Sequence, residues 1–272
     1  MNKNNFDVLT IFNNIDVVNI IQTIMYSECL GTVFDNEIAK LYFNTGLKNK
    51  IELQLNKLKQ NHSIDHLWEV LESESWHLAW QDNFKPIIID NKLTIIPDWE
   101  NKSNTEITIK IKPGMAFGTG HHETTWLVLT QMIKYIKPGM SVLDFGTGSG
   151  ILAISAKKMG ALKVDAIEND LECKPNFFEN IKINNIVSGV NFYYKNALNW
   201  DDLNYDFIIA NINQKIIEEL IPKFRSTNAN IILSGILAEN CMIIEKLLES
   251  ASFKINDKII KNEWMCISAI KS

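Results

Sequence analysis

SVLDFGTGSGILAISAKKMG, residues 141–160, is the stretch whose reading decides the fold. It reads as a buried strand (Val142, Leu143, Phe145), a turn carrying Gly146, Gly148 and Gly150, and a helix that ends at Gly160. Glycines at alternate positions let the backbone turn sharply and let a ligand lie against it with no Cβ in the way. The first turn of the helix then offers unpaired N–H groups, which suit a carboxylate or a phosphate. The third glycine comes one residue too early for the dinucleotide pattern G-x-G-x-x-G. No Lys-Ser/Thr follows, which excludes a P-loop.

Asp144 stands two residues before the first glycine. The resulting D-x-G-x-G-x-G resembles the first motif of class I methyltransferases, which bind S-adenosylmethionine. The resemblance implies that the acid faces the positively charged sulfonium and amino end of that cofactor. KVDAIE, residues 163–168, reads as the next strand and ends on a second acid, Glu168. A carboxylate there can accept hydrogen bonds from both ribose hydroxyls, as the Rossmann acid does. A lone Glu at a strand end is more often a solvated loop residue. One helix after DFGTGSG, the cofactor role is the stronger reading.

Outward from this centre the chain alternates. A helix is expected from Asp170, its cap, to residue 183, with Pro175 inside it removing one backbone bond and favouring a kink. Strands follow over residues 190–194, 206–212 and 231–235, with helices over 214–224 and 239–250. Two strands, 253–260 and 264–270, close the chain as an antiparallel pair. Such alternation predicts an α/β fold with a mostly parallel seven-stranded sheet, antiparallel only at its end, and helices on both faces. Ligands then bind beyond the carboxyl ends of the strands, where DFGTG, Glu168 and Asn211 all fall.

Asn211 ends the strand DFIIANI. An Asn in that place often only caps the next helix. The reading preferred here is catalytic: its amide and the carbonyls that follow hold an acceptor nitrogen with the lone pair toward the methyl group.

Upstream, residues 1–72 read as β-α-β-β-α-β, a small ferredoxin-like domain with no glycine-rich loop, expected to recognise the substrate, the alternative being a stabilising appendage. Residues 73–104 are expected to be a linker. In it IIIDNKLTII forms a hairpin around Asp90-Asn91, and Trp76, Trp80 and Trp99 pack. Residues 105–272 form the cofactor-binding domain. At its start, KPGMAFGTGHHETTWLVL (112–129) makes a loop expected to close over the cofactor through Phe117, Gly118 and Thr119, with Thr124 or Thr125 capping the next helix. His121-His122 suggests a metal, but adjacent residues do not share a helical face and no third ligand is near, so no metal is expected.

With these residues in view, the chain resembles the ribosomal protein L11 methyltransferase family. PGMAFGTGHHETT is similar to the family's loop signature, DFGTGSGILAISAKKMGA to its cofactor motif, ANI to its acceptor motif and LSGIL to a later strand. The resemblance starts at about Trp76. It places the family's cofactor contacts on Thr125, Gly146, Glu168 and Asn211. His121, Glu123, Glu168 and Asn213 depart from the residues usual at their positions. The resemblance implies S-adenosylmethionine as cofactor and S-adenosylhomocysteine as product. It also implies methylation of lysine side chains and the N-terminal amine of a ribosomal protein, free or on the large subunit.

Composition sets bounds on these expectations. A net charge of −5, with Arg225 the single arginine, disfavours a nucleic-acid partner read by a basic face. Apolar content of 46% supports globular cores, and no run approaches the ~18 apolar residues of a membrane span. The four scattered cysteines, Cys29, Cys173, Cys241 and Cys266, suit a reducing compartment, and a cytoplasmic monomer is expected. A methyltransferase for another protein, an RNA or a small molecule would keep DFGTGSG and Glu168. A glutamine methyltransferase would show NPPY where this chain has NINQ. A non-catalytic binding module would be expected to have lost Asp144, Glu168 or Asn211, and all three stand.

Overall fold

Short apolar runs pair into three sheets in the computed structural model of the chain, which describes residues 5–12, 17–18, 21, 29–35, 38–60, 62–72, 86–112, 120 and 122–272. Two units are distinct, Met1–Lys85 and Pro86–Ser272. The expected sites Phe117, Gly118 and Thr119, together with His121, Trp76 and Trp80, lie outside the described residues.

In the first unit, β1 (Asn5–Phe12), β2 (Cys29–Asp35), β3 (Ile38–Asn44) and β4 (Asp65–Glu72) form an antiparallel sheet in the order β2-β3-β1-β4. Helix α1 (Lys48–Leu58) turns Ile51 and Leu55 onto Leu9, Ile11, Leu41 and Phe43, and the helical residues Val17, Val18 and Ile21 join the same core. That strand order is the ferredoxin-like one expected from the sequence.

The second unit opens with a hairpin, β5 (Ile87–Ile89) and β6 (Leu93–Pro97). Asp90 and Asn91 take φ of 50° and 53°, the left-handed pair that a tight two-residue hairpin turn requires. β7 (Ile107–Ile111) pairs parallel to β6, and Ile89, Leu93 and Ile95 enter the same core as Leu127 and Val142. Residues 86–104 therefore belong to the second unit, and the chain divides at Lys85/Pro86.

The large sheet contains β8 (Ser141–Phe145), β9 (Lys163–Glu168), β10 (Val190–Tyr194), β11 (Phe207–Asn211), β12 (Asn230–Leu237), β13 (Phe253–Lys261) and β14 (Trp264–Lys271). Their order is β10-β9-β8-β11-β12-β14-β13, and β14 runs antiparallel to both its neighbours. Helix α2 (Glu123–Tyr135) precedes β8, and four helices lie between strands of the sheet: α3 (Ile151–Lys158), α4 (Cys173–Ile183), α5 (Gln214–Leu220) and α6 (Cys241–Ser250). The buried residues fall into two clusters, one holding the inward faces of α2 and α3, the other those of α5 and α6. From β8 the chain proceeds outward through β9 and β10, then returns to β11 on the other side. A crevice at such a reversal is where open α/β sheets bind ligands.

Three local expectations change. Pro175 is the third residue of α4, within the first turn, where a missing N–H breaks no helical bond, so no kink arises. The helix expected over residues 214–224 stops at Leu220, and after Pro222 a short 3-10 turn, Lys223–Ser226, follows. The helix expected from residue 239 begins at Cys241, after a 3-10 turn over Ala238–Asn240.

Candidate active site

The turn after β8 is built as the glycines dictate. Gly146, Gly148 and Gly150 have φ of 72°, 52° and 84°, and the N–H groups of Gly146 and Thr147 both donate to Ile167 O, at 2.9 and 3.1 Å. A Cβ on Gly150 would lie 2.7 Å from the Phe177 ring, so that position accepts no side chain. The first helical bond of α3 runs from Ile154 N to Gly150 O, which leaves the N–H groups before it without helical partners.

Asp144 is fully buried at the end of β8. Its Oδ2 accepts the Thr147 hydroxyl at 2.7 Å, while Oδ1 has no hydrogen-bond partner among the described residues. Burial pushes its pKa up to about 7; the Thr147 bond opposes that rise, Glu168 adds to it, and the Ala153 N–H in the first turn of α3 draws it down. An acid with one unsatisfied oxygen and a strained charge is a ready partner for a cation or a strong donor.

Glu168 does more than the sequence suggested. Its Oε2 accepts Gly148 N–H at 2.9 Å, and its Oε1 accepts Asn169 N–H at 2.8 Å and Asp170 N–H at 3.0 Å. The carboxylate thus ties the glycine turn to the loop after β9. Ribose hydroxyls would share oxygens that already hold three backbone donors. Asp170 caps no helix: its Oδ1 accepts Glu172 N–H at 2.9 Å in a local turn, and α4 starts at Cys173.

Asn211 closes β11 and is 9% exposed. Its side-chain amide makes no hydrogen bond to another described residue. The cap of α5 is Asn213, whose side chain accepts Lys215 N–H at 3.0 Å, so the helix-cap role for Asn211 is excluded. Of the carbonyls after Asn211, that of Asn213 accepts Ile216 and Ile217 N–H groups at 3.0 and 3.2 Å, while that of Ile212 lies against Gly235, a close approach and not a hydrogen bond. For an acceptor amine, the Asn211 side chain and the Ile212 carbonyl remain as acceptors.

The cap of α2 is neither Thr124 nor Thr125. His122 holds that place, with Nδ1 accepting Thr124 N–H at 3.3 Å and lying 2.8 Å from the Thr124 hydroxyl, while its ring stacks edge-on at 5.1 Å from Trp264. Thr125 lies inside the first turn, and its buried Oγ1 has no partner among the described residues. Glu123, an acid in the first turn of α2, accepts a bond from Asn262 Nδ2 at 3.0 Å. No group of residues with metal-ligand chemistry occurs among the described residues.

One cluster escaped the sequence reading. On α4 and at its C-cap, Asn176, Asn180 and Asn184 follow at helical spacing and bond to the backbone at the end of β7 and just beyond it. Asn184 takes Lys110 N–H at 2.9 Å and gives to Lys110 O at 2.6 Å. Asn180 takes Lys112 N–H at 2.8 Å, and Asn176 gives to Lys112 O at 3.0 Å. Asn180 also donates to Ser149 O at 2.9 Å, so one buried amide holds both the glycine turn and the chain at Lys112. The repeat of three asparagines at spacing four was the available signal.

Two buried acceptors without partners, Asp144 Oδ1 and Thr125 Oγ1, stand with a glycine turn and an unengaged Asn amide. This set of polar groups fits a cofactor that has a cationic end and a polar tail. The comparisons with known proteins agree. The family model for ribosomal protein L11 methyltransferase (PrmA) matches residues 15–272. A ribosomal protein L11 methyltransferase of Dictyoglomus turgidum is 32% identical over 242 residues, covering 85% of this chain and 80% of that protein. One of Prochlorococcus marinus is 36% identical over 228 residues, covering 79% and 75%. The crystal structure of a ribosomal protein L11 methylase from Lactobacillus delbrueckii subsp. bulgaricus superposes with a TM-score of 0.64 at 32% identity, covering 70% of this chain and 100% of that one.

Proposed function

The chain belongs to the ribosomal protein L11 methyltransferase family, and from that premise we propose that it transfers methyl groups from S-adenosylmethionine to lysine side-chain and N-terminal amines of ribosomal protein L11. The observation that carries the reading is Asp144: a fully buried acid with one unsatisfied oxygen, directly before the glycine turn. A fixed positive charge is the ligand feature that such a group favours.

When bound, the cofactor supplies a methyl group made electrophilic by its sulfonium. The protein's own residues do the rest. Asp144 and the Thr125 hydroxyl hold the cofactor's polar end. The turn at Gly146 and Gly148 gives it a floor without side chains. Glu168 keeps that turn in place through Gly148 and meets the ribose with its remaining lone pairs.

The acceptor poses a separate problem. A lysine amine near pKa 10.4 is neutral about once in two thousand molecules at pH 7, a cost of roughly 4–5 kcal/mol. With Glu123 engaged by Asn262, no side chain stands out as the base. Desolvation lowers the amine's pKa, the proton leaves to water, and Asn211 Oδ1 accepts a remaining N–H to align the lone pair. Residues 1–72 recognise the ribosomal protein, and the enzyme works as a cytoplasmic monomer without reading a nucleic-acid sequence.

The test is incubation with tritiated S-adenosylmethionine and ribosomes, or free L11, from a strain lacking the enzyme. Label confined to L11 is the expected result. Label on another protein or on RNA would replace the substrate assignment and leave the cofactor reading intact.

A further inference from the structure

The residue after Asn211 is gripped from two sides by glycines. On one side, β12 bulges between Ser234 and Ile236, and the residue between them, Gly235, has φ of +87°. A methyl group on Gly235 would overlap the Ile212 carbonyl oxygen and lie 2.9 Å from its carbonyl carbon and 3.2 Å from its nitrogen. The Ile212 peptide therefore rests on bare backbone. On the other side, a methyl group on Gly146, the first glycine of the cofactor turn, would overlap Ile212 Cγ2 and lie 3.6 Å from its Cβ. Ile212 N–H completes the seat with a long bond of 3.3 Å to Ser234 O.

The pairing of β11 with β12 explains why the seat lies there. Their parallel register runs without a break from Phe207↔Asn230 to Asn211↔Ser234 and ends at that point. Beyond it the bulge lets β12 continue its antiparallel pairing with β14 at Ile236↔Met265 and Leu237↔Trp264. At this place Ile212 takes over from the sheet. Its backbone lies on Gly235 and its side chain on Gly146, so it connects the strand that presents Asn211 to the turn proposed to carry the cofactor. Residues seated against backbone have little freedom to drift.

We propose that Ile212 is a positioning residue: it fixes the Asn211 amide relative to the glycine turn, and positions 146 and 235 are glycine because any side chain there would displace it. The inference rests on the reading of Asn211 as the group that aligns the acceptor amine. It differs from a merely structural role in what it affects. Loose packing lowers stability and every activity together. A misplaced Asn211 lowers turnover selectively, because alignment is realised mostly in the transition state.

The experiment uses the full chain with Ile212→Ala, Ile212→Val, Gly235→Ala and Asn211→Ala. It measures kcat and KM with L11, S-adenosylmethionine affinity by calorimetry, and the thermal midpoint. For Ile212→Ala, kcat is expected to fall at least tenfold while cofactor Kd stays within threefold. Ile212→Val, which keeps the branched Cβ, returns kcat to within threefold of the wild type. Gly235→Ala shows the same split with a larger loss, and if it fails to fold, the two Ile212 variants decide. Turnover of Ile212→Ala within twofold of the wild type overturns the inference. So does a parallel fall of kcat and cofactor affinity that Ile212→Val does not correct. Normal turnover in Asn211→Ala overturns both this inference and the Asn211 reading. A wild-type enzyme that methylates other substrates but not L11 overturns only the substrate assignment, and the Ile212 measurements then proceed on the substrate found.

Discussion

Asp144→Asn separates the electrostatic part of cofactor binding from its shape. In the ligand-free protein burial holds the Asp144 pKa at about 7, against 3.8 for an ordinary aspartate, so near neutrality the group is about half protonated. A cationic ligand binds the ionised form. Below pH 7 each binding event must therefore release one proton, and affinity falls about tenfold per pH unit. From pH 7, where half the groups are already ionised, down to 5.5 that amounts to roughly fifteenfold. Calorimetry from pH 5.5 to 7.5 stays below the ordinary range of the ligand's own α-amine, about 7.7–8.0, so its titration does not obscure the slope. Asp144→Asn should flatten the slope and weaken binding at pH 7.5 by about 2–5 kcal/mol, the cost of leaving a buried charge without its partner.

Stability should move the other way. The native pKa is raised, so between about pH 4 and 7 the folded protein keeps a proton that the unfolded chain has lost, and stability falls as pH rises through that window. The full difference corresponds to about 4 kcal/mol, an upper bound on what the ionised group costs the ligand-free protein. The Asn variant escapes that loss and should melt higher than the wild type at pH 8 without cofactor. A wild-type affinity independent of pH across this window, or an Asn variant with the same slope, would refute the assignment of Asp144 to the cationic end of the cofactor.

Three further outcomes follow from the site. Glu168→Ala should weaken cofactor binding by on the order of 1–3 kcal/mol and also lower the melting temperature, because Gly148 N–H loses its partner in a buried turn; calorimetry and thermal unfolding read the two effects. Asn211→Ala should cut turnover by about a hundredfold with cofactor Kd changed less than tenfold, and single-turnover kinetics would detect the opposite pattern of lost binding with normal chemistry. A chain starting at Pro86 should fold and bind cofactor, since the two clusters that form its core lie wholly within residues 86–272, yet fail to methylate L11; full activity toward L11 would remove residues 1–72 from substrate recognition.

The architecture was readable because its signals are local. A buried strand, a glycine turn and a helix lie side by side in residues 141–160, and each later strand is a short apolar run bounded by polar residues. The hairpin at Asp90-Asn91 was equally plain, since two consecutive left-handed residues favour those side chains. Helix boundaries were read less well. At α2 the sequence offers two threonines as caps, but His122 is fixed there by Trp264, far along the chain, and no local rule contains that contact. The division at Lys85/Pro86 likewise depends on the parallel pairing of β6 with β7, which joins the hairpin to the second unit.

Within the site, the identity of the residues was legible and their partners were not. Asp144, Glu168 and Asn211 stand at the ends of adjacent strands because β9, β8 and β11 are neighbours, which the alternation of strands and helices implied. Whether a carboxylate at such an edge is free for a ligand depends on the backbone around it. Glu168 turned out to hold three N–H groups, two of them in its own loop and one across the turn. Asn211 shows the reverse case. The role that seemed to compete for it, capping α5, is filled by Asn213, and the Asn213 carbonyl is taken by the helix. Asp144 Oδ1 and Thr125 Oγ1 are buried without partners among the described residues, a cost in free energy that a bound ligand would recover, and the Asn211 amide stands unengaged at the end of the strand beside Asp144.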